Sequence, residues 1–330
     1  MKVLMYTKVY NGEKTLARAI ESVLSQSHTT LDYYVFDNGS TDGTRAIILS
    51  YMAKDPRVKL LVNEANNLYA LADFQRMLAE VDRGQYDYLA VLDADDAYGP
   101  DFLKEAMDYM VTHQVGVCAV ASRFVAASSG AVLHHRQLSG NLCVKEKDQW
   151  DQQLEYYYQF VRTTWGKLYA MDVIQKMNYD KGITQKIING GDTYFVLEAL
   201  KVAEGFGILQ GVHHTYYYTG TGAQSTYHIN RVRGYHLIHQ TAKALLQKKA
   251  GRLSQRNEMI LRGIFINDLY VLLDVLLRQP KHIQLGEMAE LLSLPLVQRI
   301  LQEMCEYPQD EAVRQQVLKQ IEGVILSTAS

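Results

Sequence analysis

Cysteine is scarce in this chain, with three among 330 residues, at Cys118, Cys143 and Cys305. Their odd number and wide spacing exclude a disulfide framework and a thiolate metal centre, and point to reduced thiols in a cytoplasmic compartment. Long apolar runs are missing as well. The longest, around Val115–Ala127, is broken by Ser122 and Arg123 and is too short to cross a bilayer. No charged-then-apolar leader follows Met1-Lys2, so a secretion signal is not expected. No single charge sign dominates: 34 Lys+Arg stand against 36 Asp+Glu, a net charge of −2. That balance makes nucleic acid a poor partner. There is no internal repeat and no low-complexity tract, which leaves an ordinary globular composition long enough for two domains or one domain with an appendage.

What is present alternates. Lys2–Asn11 reads as a buried strand and a turn, and residues 13–27 place Leu16, Ile20, Val23 and Leu24 at helical spacing. Leu31–Asp37 is a second strand, running into Asn38-Gly-Ser-Thr-Asp-Gly-Thr44, a loop of turn formers and helix caps. A helix carrying Ile47, Ile48, Tyr51 and Met52 follows, then a strand over Val58–Val62, a helix over 69–82 and a strand over Tyr86–Leu92. Strands alternating with helices predict a mostly parallel α/β sheet, with ligands at the carboxyl edge where Asp37 and Asp93 emerge.

That edge holds the densest chemistry. Asp93, Asp95 and Asp96 follow an apolar strand, and three acids in four residues repel one another unless a cation or hydrogen-bond donors lie between them. Hard oxygen ligands at this density suit Mg²⁺ or Mn²⁺, ions that also bind phosphates. An alternative for Asp96 is a cap on the helix starting near Pro100.

Four blocks in order resemble the family 2 glycosyltransferases, with their GT-A type nucleotide-diphospho-sugar transferase fold: Tyr10-Asn11-Gly12-Glu13; Leu16 with Ala19–Gln26; Asp37-Asn38-Gly39-Ser40-Thr41-Asp42-Gly43-Thr44; and Asp93-Ala94-Asp95-Asp96. The resemblance continues loosely through Trp165–Tyr169, Gly191–Phe195 and Tyr217-Tyr218, covering roughly residues 1–225. It implies a catalytic domain over 1–225 and a helical C-terminal extension over 226–330. It also implies a metal-dependent, inverting transfer of a sugar from a UDP-sugar donor to an acceptor hydroxyl on a carbohydrate or a lipid-linked carrier, in glycan or cell-surface polysaccharide synthesis.

Roles follow from the resemblance, residue by residue. Asp37 accepts a hydrogen bond from the uracil imide, Thr7, Tyr10 and Asn11 flank the base, and Asp93 contacts the ribose or a metal-bound water. Asp95 ligates the metal, His214 is a candidate further ligand, and Asp192 is the catalytic base. A helix cap is the alternative role for Asp192, and a solvent-facing pair the alternative for His213 and His214. The sequence departs from the family where Gly191 replaces the usual acid, where Thr219 replaces an arginine, and where Asp73-Phe-Gln-Arg76 replaces an Arg-Asn pair. Arg76, Lys167 or basic residues after Arg231 are then candidates for the phosphates. Gly191 and Thr219 also favour the rival reading, a non-catalytic nucleotide-sugar-binding or scaffold protein acting through its helical extension. A sugar nucleotidyltransferase fits less well, since Thr7–Asn11 is not its glycine-rich loop.

Between Arg231 and Arg262 eight basic residues face one acid, Glu258, with Tyr235, Ile238, Ala242, Leu245 and Leu246 as one apolar stripe. Such a helix either packs its stripe on its own domain or lies peripherally on an anionic membrane at the cytoplasmic face. Further helices are expected over Leu269–Leu277, Met288–Leu292 and Val313–Val324, punctuated by Pro280, Pro295 and Pro308. Trp150, Trp165 and Tyr156-Tyr157-Tyr158 fall where the family builds its acceptor groove, and they serve equally as core. A homo-oligomer remains open.

Overall fold

The computed structural model describes residues 1–67, 70–177, 190–219 and 230–278, with Ser293, Pro295 and Gln298 beyond them. Four parallel strands build its first half: β1 (Val3–Val9), β2 (Leu31–Asn38), β3 (Val58–Asn63) and β4 (Tyr88–Val91), lying in the order β3-β2-β1-β4. β1 is central and reads as an almost unbroken apolar run because helices cover both of its faces. The connecting helices are α1 (Leu16–Leu24), α2 (Thr44–Met52) and α3 (Ala70–Glu80). α1 buries Leu16, Ala19, Ile20 and Val23, the single stripe that a period of 3.6 residues dictates.

Beyond β4 the sheet becomes mixed. β5 (Ala97–Tyr98), β6 (Val117–Ala126), β9 (Lys167–Ala170) and β10 (Phe206–Tyr218) extend it in the order β4-β9-β6-β10-β5. β7 (Val132–Arg136) pairs with the outer part of β6, and β8 (Leu142–Val144) with the start of β10. β9 is antiparallel to both β4 and β6, while β10 is parallel to β6. The remaining helices are α4 (Phe102–His113), α5 (Lys147–Gln152), α6 (Leu154–Val161), α7 (Met171–Lys176), α8 (Gly191–Val202), α9 (Asn230–Ala250) and α10 (Gln255–Leu277).

Two apolar layers sandwich the sheet. One joins α1, α2 and α4 to one face. The other gathers α3, α5, α6, α7 and α8 against the opposite face and continues without a break into α9 and α10. The stripe Tyr235, Ile238, Ala242, Leu245 and Leu246 is buried in that layer, where α9 packs on α8, α5 and α10. Burying a Leu or Ile side chain contributes about 1.5–3 kcal/mol. The stripe therefore packs on its own protein and is not free to enter a membrane, and none of the described helices is long and apolar enough to cross one. Arg231, at the head of the basic tract, is itself buried. The expected boundary at 225 and the helices over 288–292 and 313–324 lie outside the described residues. Leu269–Leu277 falls within α10.

Most of the aromatic residues considered for an acceptor groove are core. Trp150, Trp165, Tyr157 and Tyr158 are buried, with Trp150 edge-on to Tyr157, and only Tyr156 of this group is exposed.

Candidate functional site

The loop after β4 carries the acids, and β10 pins it. β5 pairs antiparallel with β10 through Tyr98 and His214, and the Tyr217 N–H donates to Asp96 Oδ1 at 3.1 Å. Arg18 on α1 donates to the Asp95 carbonyl while its guanidinium lies 3.6 Å from the centre of the Tyr217 ring. The result brings carboxylate oxygens of Asp93, Asp95 and Asp96 within 4.8 Å of one another. Burial, reinforced by the neighbouring carboxylates, raises Asp93 well above the ordinary range. Burial and the charge of Asp95 push Asp96 up to about 8, against the opposing pull of the Tyr217 N–H and Arg18. Like charges this close resist joint ionisation, the condition a divalent cation relieves.

Asp96 does not cap α4, whose capping position is Asp101. Its Oδ2 lies 3.2 Å from His214 Nε2 with both side chains fully buried, and Oδ2, Nδ1 and Nε2 are without hydrogen-bond partners. The expected solvent-facing histidine pair is therefore not found. Register shifts between β10 and β6 on both sides of Val212 mark an irregularity that turns His213 toward Glu105, 2.9 Å away, and His214 into the interior. His214 sits behind Asp96, stacked on Trp165 at 4.2 Å and 14°, with burial and the cations Arg136 and Lys167 holding it neutral. It is not in the three-carboxylate cluster.

Asp192 occupies the first turn of α8. The capping position belongs to Gly190, so Asp192 is not the cap. Gly190 has φ +86, and a Cβ there would lie 2.6 Å from Ile238 of α9. The Asp192 residue is exposed to solvent, yet the protein packed around its carboxyl raises it above the usual value. Lys167 and a hydrogen bond from the Thr164 hydroxyl counter that rise. Asp192 in turn contributes to the upward shift of Asp93, which places the two acids within electrostatic reach.

Sequence reasoning missed the strap Thr163-Thr164-Trp165 that supports this base. Lys167 is fully buried, and its ammonium donates to the carbonyls of Thr163 and Trp165. Arg136 binds Thr163 Oγ1, the Gln159 carbonyl and Ser122 Oγ, and lies 4.6 Å over the Trp165 ring. Lys167 was visible in the Trp165–Tyr169 block, but its burial was not. Its ammonium is fully engaged by the strap, which leaves no free donor for a phosphate.

The other expected donor-binding residues lie along the first half of the sheet. Thr7 is wholly buried; its hydroxyl donates to the Leu92 carbonyl and pairs with Tyr33, so it ties β1 to β4 and offers no surface to a ligand. Asp37 is fully buried too, with its oxygens held by the Ser40 N–H and the Arg45 guanidinium. Tyr10 is exposed, and Asn11, at φ 51, accepts from the Thr41 N–H and stitches the loops after β1 and β2 together. Arg76 is engaged by Glu80 and Asn63 beside β3. With strands spaced by about 4.8 Å, three steps separate β3 from β4 by about 14 Å, so the structure does not bring Arg76 to the acid cluster. Between them lies a closed polar network: Lys8 to Asp73 at 2.6 Å, and Asn38 bonded to Asn63, Asn66 and Asn67.

The model of the family described as glycosyl transferase family 2 matches residues 6–175. A Bacillus subtilis (strain 168) protein named as a glycosyltransferase, EpsE, is 36% identical over 114 residues, which is 34% of this chain and 40% of that protein. The chain thus spans well under half of that relative. Among solved structures, Staphylococcus aureus TarS 1-349 in complex with UDP-GlcNAc superimposes with a TM-score of 0.65 at 15% identity, covering 100% of this chain and 92% of that one. A mannosyltransferase from Pyrobaculum calidifontis, in complex with GDP-Man and Mn²⁺, gives 0.51 at 14% identity over 98% and 86%. The mixed α/β sheet is that of the nucleotide-sugar transferases.

Proposed function

The chain belongs to glycosyl transferase family 2, and from that membership we propose that it moves a sugar from a UDP-sugar to an acceptor hydroxyl with inversion, in the assembly of a surface polysaccharide. The observation that carries this reading is the juxtaposition of three mutually repelling carboxylates with a separate aspartate, Asp192, whose charge reaches Asp93. The donor set is all hard oxygen, as Mg²⁺ or Mn²⁺ requires, and the unpartnered Asp96 Oδ2 fits a cation neighbour. Asp93, Asp95 and Asp96 would hold the ion, with His214 behind Asp96. A bound cation supplies positive charge to the departing diphosphate.

The chain's own residues do the rest. Asp192 accepts the proton of the attacking hydroxyl, and Thr164 and Lys167 favour its ionised form where Gly191 gives up the second acid. The nucleobase lies at the loops after β1 and β2, where Tyr10 offers an exposed ring and Asn11 a fixed turn. The TarS complex with UDP-GlcNAc supports a uridine donor, and its shared fold supports the placement of the donor over the acid-bearing edge.

Titration calorimetry with uridine diphosphate and Mn²⁺, followed by a donor-hydrolysis screen over nucleotide sugars, tests the proposal. Metal-dependent binding with turnover of one donor is expected. Binding without any turnover identifies a non-catalytic binder, and no binding removes the reading.

A further inference from the structure

Asp268 of α10 is a buried acid that the chemistry above leaves without a task. It is 7% exposed, and its partner Arg162 lies 106 residues earlier in the chain. The Arg162 guanidinium grips it with both terminal nitrogens, Nη2 to Oδ1 at 2.8 Å and Nη1 to Oδ2 at 3.1 Å, a two-pronged geometry that fixes direction as well as distance. The layer around α9 and α10 is otherwise apolar, and apolar side chains would seal the same junction without the cost of desolvating an ion pair. Packing alone does not ask for this pair.

Arg162 stands where α6 ends and the strap begins. Its carbonyl accepts from the Thr193 hydroxyl at 3.2 Å, and Thr193 is the residue after Asp192. Two positions on, Thr164 hydrogen-bonds the Asp192 carboxyl. One residue therefore joins α10 to both elements that frame the base, the first turn of α8 and the strap. The sheet holds the strap through Lys167 and Arg136 at Thr163 and through the Tyr169 hydroxyl at the Thr164 carbonyl. α9 adds a second contact, with Ile238 seated where a Cβ on Gly190 would stand at the start of α8.

We propose that Asp268 is a positioning residue for the transfer reaction: through Arg162 it fixes the strap and the first turn of α8, which makes the helices after the sheet part of the site and not an appendage. This rests on the transferase reading above and extends it past residues 6–175, the stretch that the family model matches. The side chains that act on Asp192 are Lys167 from β9 and Thr164 from the strap, with Asp93 facing it from the loop after β4. The Thr164 hydrogen bond favours the ionised base. Loosening the strap withdraws that bond, so the carboxyl rises further and the base is lost at a higher pH.

The test is steady-state kinetics of the full chain across pH, beside hydrogen exchange read by mass spectrometry, for wild type, Asp268→Asn, Asp268→Glu and Asp274→Asn. The Arg162 side chain is 39% exposed, so water can solvate it in Asp268→Asn, and circular dichroism verifies the fold. Asp274 lies on the same helix in an exposed pair with Arg278 and serves as the control. Expected for Asp268→Asn is a kcat about tenfold lower with donor KM and uridine diphosphate affinity unchanged, an acid limb displaced to higher pH, and faster exchange in segments 162–166 and 191–196 but not 88–96. Asp268→Glu keeps the carboxylate and should recover most of kcat, while Asp274→Asn should match wild type. An unmoved acid limb, unchanged exchange in both segments, or an equal loss in Asp274→Asn overturns the proposal. A wild type that turns over no donor would instead sink the transferase reading, and the exchange pattern would still decide whether Asp268 holds the strap.

Discussion

The two halves of the sheet treat their buried polar groups in opposite ways. On the β3-β2-β1-β4 side, Asp37, Asn38 and Thr7 are hydrogen-bonded by Ser40, Arg45, Asn63, Asn67 and Leu92, and Asp73 accepts from Asn63 and Asn67 and pairs with the Lys8 ammonium, although the buried Tyr6 hydroxyl has no partner. On the β9-β6-β10-β5 side, Asp93 and Asp96 are pushed toward the neutral state, His214 and Asp96 have unpartnered atoms, and Lys167 is held against its charge. A satisfied network locks loops. An unsatisfied one is where a ligand supplies what the fold withholds, because buried polar atoms without partners are costly and rare.

The largest expected effect lies in the unsatisfied half. Asp192→Asn keeps the shape and the Thr164 neighbour but cannot take a proton, so transfer should fall by about 10²–10⁴-fold while binding of uridine diphosphate persists. Steady-state kinetics beside calorimetry separates these outcomes; near-normal transfer would remove Asp192 from its role. Since its carboxyl is raised and its ionised form is the base, wild-type transfer should be lost on acidification at a pH above the ordinary carboxylate range.

Paired substitutions sharpen the contrast. Asp37→Asn leaves Arg45 without its carboxylate and brings a buried amide against a guanidinium, at a cost of about 1–3 kcal/mol in denaturant unfolding. Asp96→Asn should cost nothing or stabilise the metal-free protein at pH 8, since it removes a disfavoured charge and its amide can donate to the unpartnered His214 Nε2. The same variant should lose the thermal response to Mn²⁺. Equal destabilisation by both would show that the two halves are not different in kind.

Legibility followed the same divide. The parallel half was readable because each strand and helix keeps one period, and the turn formers after Asp37 fall at a strand end. The motif acids at 93, 95 and 96 were readable for the same reason. The burial of Thr7 and Asp37 was not, because nothing local distinguishes a strand-end residue open to a ligand from one whose polar atoms the protein itself takes up, through Leu92 and Tyr33 for Thr7 and Ser40 and Arg45 for Asp37. His214 was misread since a register irregularity, set by pairing with β6, decides which way it points. The strap was hidden because Lys167 and Arg136 reach it across strands that are distant in sequence.

A gentler probe is pH at constant cation. The Asp96 carboxyl is neutral up to about 8 in the folded chain but ionises in the ordinary carboxylate range once unfolded. Its contribution therefore favours the fold at low pH and is lost as pH rises through about 8. A cation binds the ionised cluster, so its stabilising effect should grow over that window. At about 100 times its dissociation constant it adds about 2.7 kcal/mol, and each kcal/mol moves a chain of this size by about 2–4 °C. Differential scanning fluorimetry with Mg²⁺ at pH 5 and pH 8 reads it, and a larger shift at pH 5 would contradict the assignment.

The smallest effect is expected at Arg76, on the satisfied side. Its ion pair with Glu80 is an exposed i,i+4 contact, 46% and 40% accessible, of the kind that contributes about 0.3–0.5 kcal/mol. Arg76→Ala should accordingly move the unfolding midpoint very little. Because β3 lies three strands from the acids, the loss of its charge should also leave Mn²⁺ affinity unchanged, whereas a group contacting the diphosphate would weaken nucleotide and metal together. A coupled loss of uridine diphosphate and Mn²⁺ binding in Arg76→Ala would mean that the two halves meet over the donor more closely than strand spacing allows.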